Sequence, residues 1–258
     1  MSDELIQWPR AKYWDRQWNP IIGCKPCSPA CEHCYAAAWA NRFNQSFEPH
    51  LSSQARPPRT GVVFAGNMTD LFGEWVDVFD TCNYISQCIN PNIEAFIWLT
   101  KRVGKMCEAL EIGQVETDLG AESFESLAGI EFHNHYFGFT AENQSWYNER
   151  MNWMREHFPE WANLWISAEP LLGPIDLGLS EAWLKPRWLV VGCESGPNRR
   201  PCKIEWVEGI VEQCRTAGVP VFVKQISLNN KCVTDISKFP KHLQIRQVPW
   251  AKEGANND

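Results

Sequence analysis

Apolar residues in this chain follow two rhythms. Short, nearly continuous apolar runs stand at 61–66 (GVVFAG), 95–100 (AFIWLT), 136–141 (YFGFTA), 164–169 (LWISAE), 187–192 (RWLVVG) and 220–225 (PVFVKQ). Such runs are expected of parallel strands covered on both faces. WNPIIG at 18–23 is a further strand candidate, weakened by Pro20, which has no ladder donor. Helical spacing fills the gaps. Val78, Cys82, Ile85 and Ile89 fall on one helical face, as do Tyr147, Met151, Met154 and Phe158. Val207, Ile210, Val211 and Cys214 form a third stripe, and Gly218 is placed to stop it. Strands alternating with helices predict a parallel β/α architecture, closed as a barrel or open as a sheet.

The length, 258 residues, suits one sizeable domain. We take 1–258 as that domain, with 227–258 as a C-terminal extension. Residues 106–149 contain no Lys or Arg and nine acidic residues. The part at 106–129 reads as an acidic insertion of helices or loops between two strands, and a solvated acidic face accounts for it. The fourteen tryptophans are read mainly as packing residues. The net charge of −7 argues against a broad, non-specific grip on nucleic acid and leaves room for a local basic pocket, for which Arg199, Arg200 and Lys203 are candidates. The N-terminus lacks the basic-then-apolar build of a signal segment, and no apolar run approaches membrane-span length. The expectation is a cytoplasmic protein without a membrane partner. Eleven cysteines in such a chain suggest metal or redox chemistry rather than a disulfide framework.

Polar residues gather where the apolar runs stop. Asp70, Lys101, Arg102, Glu142, Glu169 and Glu194 each follow a run, and Lys224 and Gln225 close the last one. In β/α barrels the C-terminal strand ends build the active site, so Asp70, Lys101, Glu142, Glu169, Glu194 and Lys224 are the candidate binding residues. Inter-strand ion pairing is the plain alternative for each.

The densest chemistry lies in GCKPCSPACEHCYAAAWANRF, residues 23–43. Cys24, Cys31 and Cys34 are spaced C-x6-C-x2-C, while Cys27, Cys31 and Cys34 are spaced C-x3-C-x2-C. Four thiols, or three with His33, would satisfy a structural zinc ion. Three thiols on one loop also suit a [4Fe–4S] cluster with one iron left open for a small molecule.

These segments resemble those of the phage-associated three-Cys-motif family, whose cysteine loop is similar to that of radical S-adenosylmethionine enzymes. The resemblance is carried by WNPIIGC and SPACEHCYA (18–36), NMTDLF (67–72), LTKR (99–102), GFTAENQ (138–144), SAEPLLGPIDL (167–177), GCESGPNRRP (192–201) and GVPVFVKQ (218–225). It implies Cys24, Cys31 and Cys34 as ligands of a [4Fe–4S] cluster, with Cys27 outside the set. It implies a parallel (β/α) barrel or partial barrel of the TIM-barrel type. It also implies S-adenosylmethionine as cofactor, cleaved with one electron from an external donor to start radical chemistry. A nucleic acid or nucleotide is the implied substrate, with a peptide or small metabolite as the alternative, and a separately encoded protein is a further partner. A non-catalytic binding protein stabilised by zinc or iron–sulfur is the alternative. The chain departs from the family pattern at Cys193, where glycine is usual, and at Ile226-Ser227, where Trp-Gly is common.

Overall fold

The computed structural model describes residues 7–54, 56–117, 120–123, 132–179, 184–196 and 198–250. The last part of the acidic segment and residues 251–258 of the C-terminal extension lie outside the described residues. The fold is α/β. Among the described residues, eight strands hydrogen-bond in the order β1-β4-β5-β8-β9-β10-β11-β12. These are β1 (Arg16–Trp18), β4 (Gly61–Ala65), β5 (Ile93–Thr100), β8 (His135–Thr140), β9 (Asn163–Ala168), β10 (Trp188–Gly192), β11 (Val221–Leu228) and β12 (Lys231–Val233). The pairs β1/β4, β4/β5, β5/β8, β9/β10 and β10/β11 are parallel, and β11/β12 is antiparallel. Two short ladders stand apart: β2 (Ile21–Ile22) with β3 (His50–Leu51), and β6 (Gln114–Thr117) with β7 (Gly120–Ser123). All six apolar runs are therefore strands. WNPIIG divides at Pro20 into the end of β1 and the start of β2.

The helices are α1 (Tyr35–Arg42), α2 (Val78–Ser86), α3 (Val103–Ile112), α4 (Gln144–His157) and α5 (Ile204–Ala217). Each apolar stripe lies mainly on the helix expected. Asp77 caps α2 by accepting from the Phe79 N–H at 2.8 Å. Gly218 ends α5 in the left-handed region at φ 68°, where glycine carries no Cβ penalty. The acidic segment opens as α3 and continues as the β6–β7 hairpin, a hairpin that helical and loop spacing did not anticipate. No helix among the described residues is long and apolar enough to cross a membrane.

The described residues fall into two compact units. The cysteine-loop unit takes Trp14–Phe139 and Glu149–Asn163. The other, the β9–β12 unit, takes the described parts of Met1–Tyr13, Thr140–Asn148 and Leu164–Asp258. Each has its own aromatic core. In the cysteine-loop unit, the fully buried Trp18 and Trp98 meet edge-on at 6.4 Å. Trp98 Nε1–H donates to His135 Nδ1 at 3.2 Å. An indole can only donate, so His135 Nδ1 accepts and Nε2 carries the proton facing the Cys88 carbonyl at 3.3 Å. In the β9–β12 unit, Tyr13 packs edge-on against Trp165, Trp188 and Phe222 at 6.1, 5.0 and 5.5 Å. Burying each such ring contributes about 2–3 kcal/mol.

Candidate functional site

The cysteine loop is built from short irregular pieces tied down by side chains. Gly23 opens it with φ +95°, and a methyl group there would sit 2.4 Å from the Glu48 carbonyl oxygen. Only glycine meets both conditions. Asn19 Nδ2 donates to Asn67 Oδ1 at 2.8 Å, and its Oδ1 accepts from the Met68 N–H at 2.9 Å. Thr69 Oγ1 donates to the Gly23 carbonyl at 2.6 Å. The WNP and NMTD motifs thus lock the loop entrance to the turn after β4. Beyond it, Pro29–Cys31 forms one 3₁₀ turn, and Cys34 occupies the N-cap position of α1 with no capping bond from its side chain.

All eleven cysteines are free; Cys27 is exposed, and Cys24, Cys31 and Cys34 are half-buried. The Cys24 thiol feels the charges of Cys34 and Cys31. Burial first, then the carboxylate of Asp70, pushes it up to about 11. Cys31 is held down to about 4, first by a hydrogen bond from Cys27 and further by Lys101. Cys27 is raised for the same reason, because its proton is shared with Cys31.

Asp70 and Arg102 clamp this loop to the strand ends. Asp70 Oδ1 accepts from Thr100 Oγ1 at 2.7 Å and from the Phe72 N–H at 3.1 Å. Its Oδ2 accepts from the Lys101 N–H at 3.2 Å and from Arg102 Nη1 at 3.1 Å. Arg102 also donates through Nε to Glu74 at 2.9 Å and through Nη2 to the Lys25 carbonyl at 2.9 Å, with its guanidinium 4.7 Å from the Trp75 ring centre. Four partners hold Asp70 and three hold Arg102, so these two act first as scaffolding for the thiols. Lys101 stands beside them with its ammonium near Cys31.

The remaining candidates belong to the β9–β12 unit. Glu194 is 3% exposed and takes the Arg200 backbone N–H at 2.8 Å and the guanidinium Nε at 3.1 Å, with Nη2 on its other oxygen. Lys224 Nζ lies 3.0 Å from Glu169 Oε1 and 5.6 Å from the Tyr13 ring centre. Gly192 makes that approach possible, since a methyl group there would fall 2.7 Å from Glu169 Oε1. Glu142 is fully buried, and its backbone carbonyl accepts from the Leu172 N–H at 2.7 Å. Of the basic cluster, Arg200 is committed to Glu194 and Arg199 to the carbonyls of Gly196 and Asn230; the Lys203 ammonium is 5.8 Å from the Trp206 ring centre.

The structure thus brings Cys24, Cys31, Cys34, Asp70 and Lys101 together in one unit. Glu169 and Lys224 meet in the other, where Glu194 pairs with Arg200. Reasoning from residue type missed Asn19, Thr69 and Glu74 as loop supports, although Asn19 and Thr69 sit inside motifs already singled out. The donor set suits a soft-metal group: three free thiols of one loop, one of them readily ionised. Among the described residues no three His, Cys, Asp or Glu side chains already stand in the spacing of a metal site, so seating such a group requires the thiols to close together.

A family model described as "Protein of unknown function (DUF5131)" matches residues 9–242, and the chain belongs to that family. No curated protein and no solved structure matches it.

Proposed function

We propose that this DUF5131 protein is an iron–sulfur enzyme that reductively cleaves S-adenosylmethionine for radical chemistry. The observation that carries this reading is the trio Cys24, Cys31 and Cys34: free thiols on one loop, in electrostatic reach of one another and held by Asp70 and Arg102. Cys24, Cys31 and Cys34 would hold a [4Fe–4S] cluster, which would supply the electron for carbon–sulfur bond cleavage.

The chain's own residues do the rest. Arg102 ties the loop backbone at Lys25 to the end of β5. Lys101 offers a cation beside Cys31 for a carboxylate. Glu142, Glu169 and Glu194 are candidate acceptors for an ammonium group or ribose hydroxyls, and Lys224 is a second cation for an anionic ligand. The motif resemblance to phage-associated proteins supports a nucleic-acid or nucleotide substrate, an external electron donor and a separately encoded partner. Eleven free thiols suit a reducing cytoplasm.

The test is anaerobic reconstitution followed by dithionite reduction with S-adenosylmethionine. The expected result is about four iron and four sulfide per chain, with release of 5′-deoxyadenosine. Cys24→Ala, Cys31→Ala and Cys34→Ala should each lose the cluster, while Cys27→Ala keeps it. Stoichiometric zinc without sulfide after iron-replete anaerobic expression would overturn the reading in favour of a metal-stabilised binding protein.

A further inference from the structure

A cleft of about 710 Å³ opens at the N-terminal edge of β4 and β5, inside the cysteine-loop unit. It lies at the opposite end of those strands from the Asp70–Arg102 clamp. β5 runs from Ile93 to Thr100, so one strand length, about 23 Å, separates the two. The volume falls in the range of about 300–1,000 Å³ usual for small-molecule pockets. Pro57, Pro58 and Ile89 supply an apolar lining, backed by the fully buried Phe96. Arg56, Arg59, Gln87 and Asn92 supply exposed polar groups. Among the described residues no carboxylate lines the cleft. Asp15, close by, is turned to the backbone, where its Oδ2 accepts from the Val62 N–H at 3.0 Å.

The stretch RPPR at 56–59 sets the two guanidiniums. Arg56 and Pro57 each precede a proline, which disfavours helix at both, and each proline ring fixes its own φ. A polyproline stretch has about three residues per turn, so positions 56 and 59 return to one side. Both flanks are tied down. The Gln54 carbonyl accepts from Trp18 Nε1 at 3.0 Å, and Asp15 holds the chain at Val62. Asn90 Nδ2 donates to the Arg59 carbonyl at 3.5 Å, while its Oδ1 accepts from the Asn92 N–H at 2.9 Å. One side chain thus links the arginine segment to the turn that carries Asn92. Among the described residues neither Arg56 nor Arg59 pairs with a carboxylate, whereas Arg102 and Arg200 each do.

We propose that this cleft binds a small organic phosphate, with Arg56 and Arg59 clamping the phosphomonoester and Pro57, Pro58 and Ile89 receiving the body that carries it. Guanidinium forks match phosphate oxygens through paired hydrogen bonds. A phosphomonoester dianion carries the charge that two cations call for, whereas a carboxylate carries half of it. The apolar lining selects an ester over free inorganic phosphate. The amides of Gln87 and Asn92 each offer a donor and an acceptor to polar groups on the ligand. A net charge of −7 disfavours a long polyanion, so a small molecule is the fitting occupant. The site stands on its own geometry and takes nothing from the cysteine loop.

The experiment titrates the full chain with phenyl phosphate and follows backbone amide shifts by NMR. This probe carries a phosphomonoester on a flat apolar ring and no nucleoside, so it does not report on the S-adenosylmethionine reading. The expected result is saturable shifts at the non-proline positions of 56–60 and 87–93, with the cysteine loop unmoved. Benzoate and inorganic phosphate should each bind at least about tenfold more weakly. Arg56→Ala and Arg59→Ala should each weaken phenyl phosphate at least about tenfold. Arg59→Lys keeps the charge without the fork and should fall between. Both arginines are exposed, and the amide spectrum of each variant away from the cleft verifies its fold. No saturable shift at millimolar phenyl phosphate, shifts centred elsewhere, or benzoate bound as tightly would overturn the proposal. So would a short oligothymidylate that binds the same amides more tightly and loses affinity steeply with salt, since the arginines would then grip a nucleic-acid backbone.

Discussion

The cysteine-loop unit holds thiols in two regions, and the same residue type behaves in opposite ways there. In the loop, Cys24, Cys27, Cys31 and Cys34 lie on irregular backbone, exposed or half-buried, among charged neighbours. Beneath α2 and α3, Cys82, Cys88 and Cys107 are 3%, 0% and 1% exposed, and burial raises the pKa of all three. The loop spends backbone order to present thiols, and the layer uses cysteine as a small apolar side chain. Spacing rather than residue type tells the two apart. Tight C-x6-C-x2-C clustering marks the loop, whereas Cys82 fits the apolar stripe of its helix.

The sharpest way to test this contrast is reagent access. In the native full chain, iodoacetamide should modify Cys31, half-buried and held down to about 4, more than about a hundredfold faster than Cys88, because Cys88 reacts only after the layer opens. Quantitative peptide mapping over time gives both rates, and comparable rates would erase the distinction between the regions.

The next largest effect should come from the clamp. Arg102→Ala removes the cation facing a nearly buried Asp70 and the donor to the Lys25 carbonyl. The expected loss is about 3 kcal/mol of unfolding free energy in urea. Hydrogen exchange should accelerate in the loop more than in α2 and α3. A loss below about 1 kcal/mol would mean that solvent screens the pair as it does on a surface. Gly23→Ala follows. The positive φ and the close Glu48 carbonyl predict about 2 kcal/mol, again with faster exchange confined to the loop. A neutral substitution would show that the loop entrance yields.

These residues also mark what was legible in the sequence alone. The strands could be read because each is a local run of buried apolar residues. The helices could be read because Cys82, Met151 or Val211 repeat at helical spacing. The loop thiols stood out by density alone. Partners were not legible. Asp70 with Arg102, and Glu169 with Lys224, join residues far apart along the chain, and a polar residue after a strand does not say what it will meet. The saturation of Asp70 by four donors therefore came only with the fold. Pro20 warned of an interrupted strand without showing that the two halves enter different ladders. The β6–β7 hairpin carried no alternating pattern strong enough to announce it.

The smallest predicted effect concerns the layer alone and runs with pH. Cys107 is pushed up to about 12 by burial and, secondarily, by Glu111. Its unfolded thiol would titrate near 9. Between those values the unfolded chain has released a proton that the folded chain still holds, so stability falls as pH rises. Below pH 9 both states keep the proton and the contribution is complete. At pH 10 the loss from this one thiol should be about 1.4 kcal/mol. Lysines and tyrosines titrate in the same range, so the quantity to measure is a difference. Urea unfolding of the wild type and of Cys107→Ala should be compared at pH 8 and pH 10 under reducing conditions. Substitution itself costs stability by leaving a small cavity, and that cost is present at both pH values. The alkaline drop should nevertheless be smaller in Cys107→Ala by about 1.4 kcal/mol. Equal drops in the two proteins would mean that the layer admits water and ionises its thiols as readily as the unfolded chain does. The contrast with the loop would then rest on exposure alone.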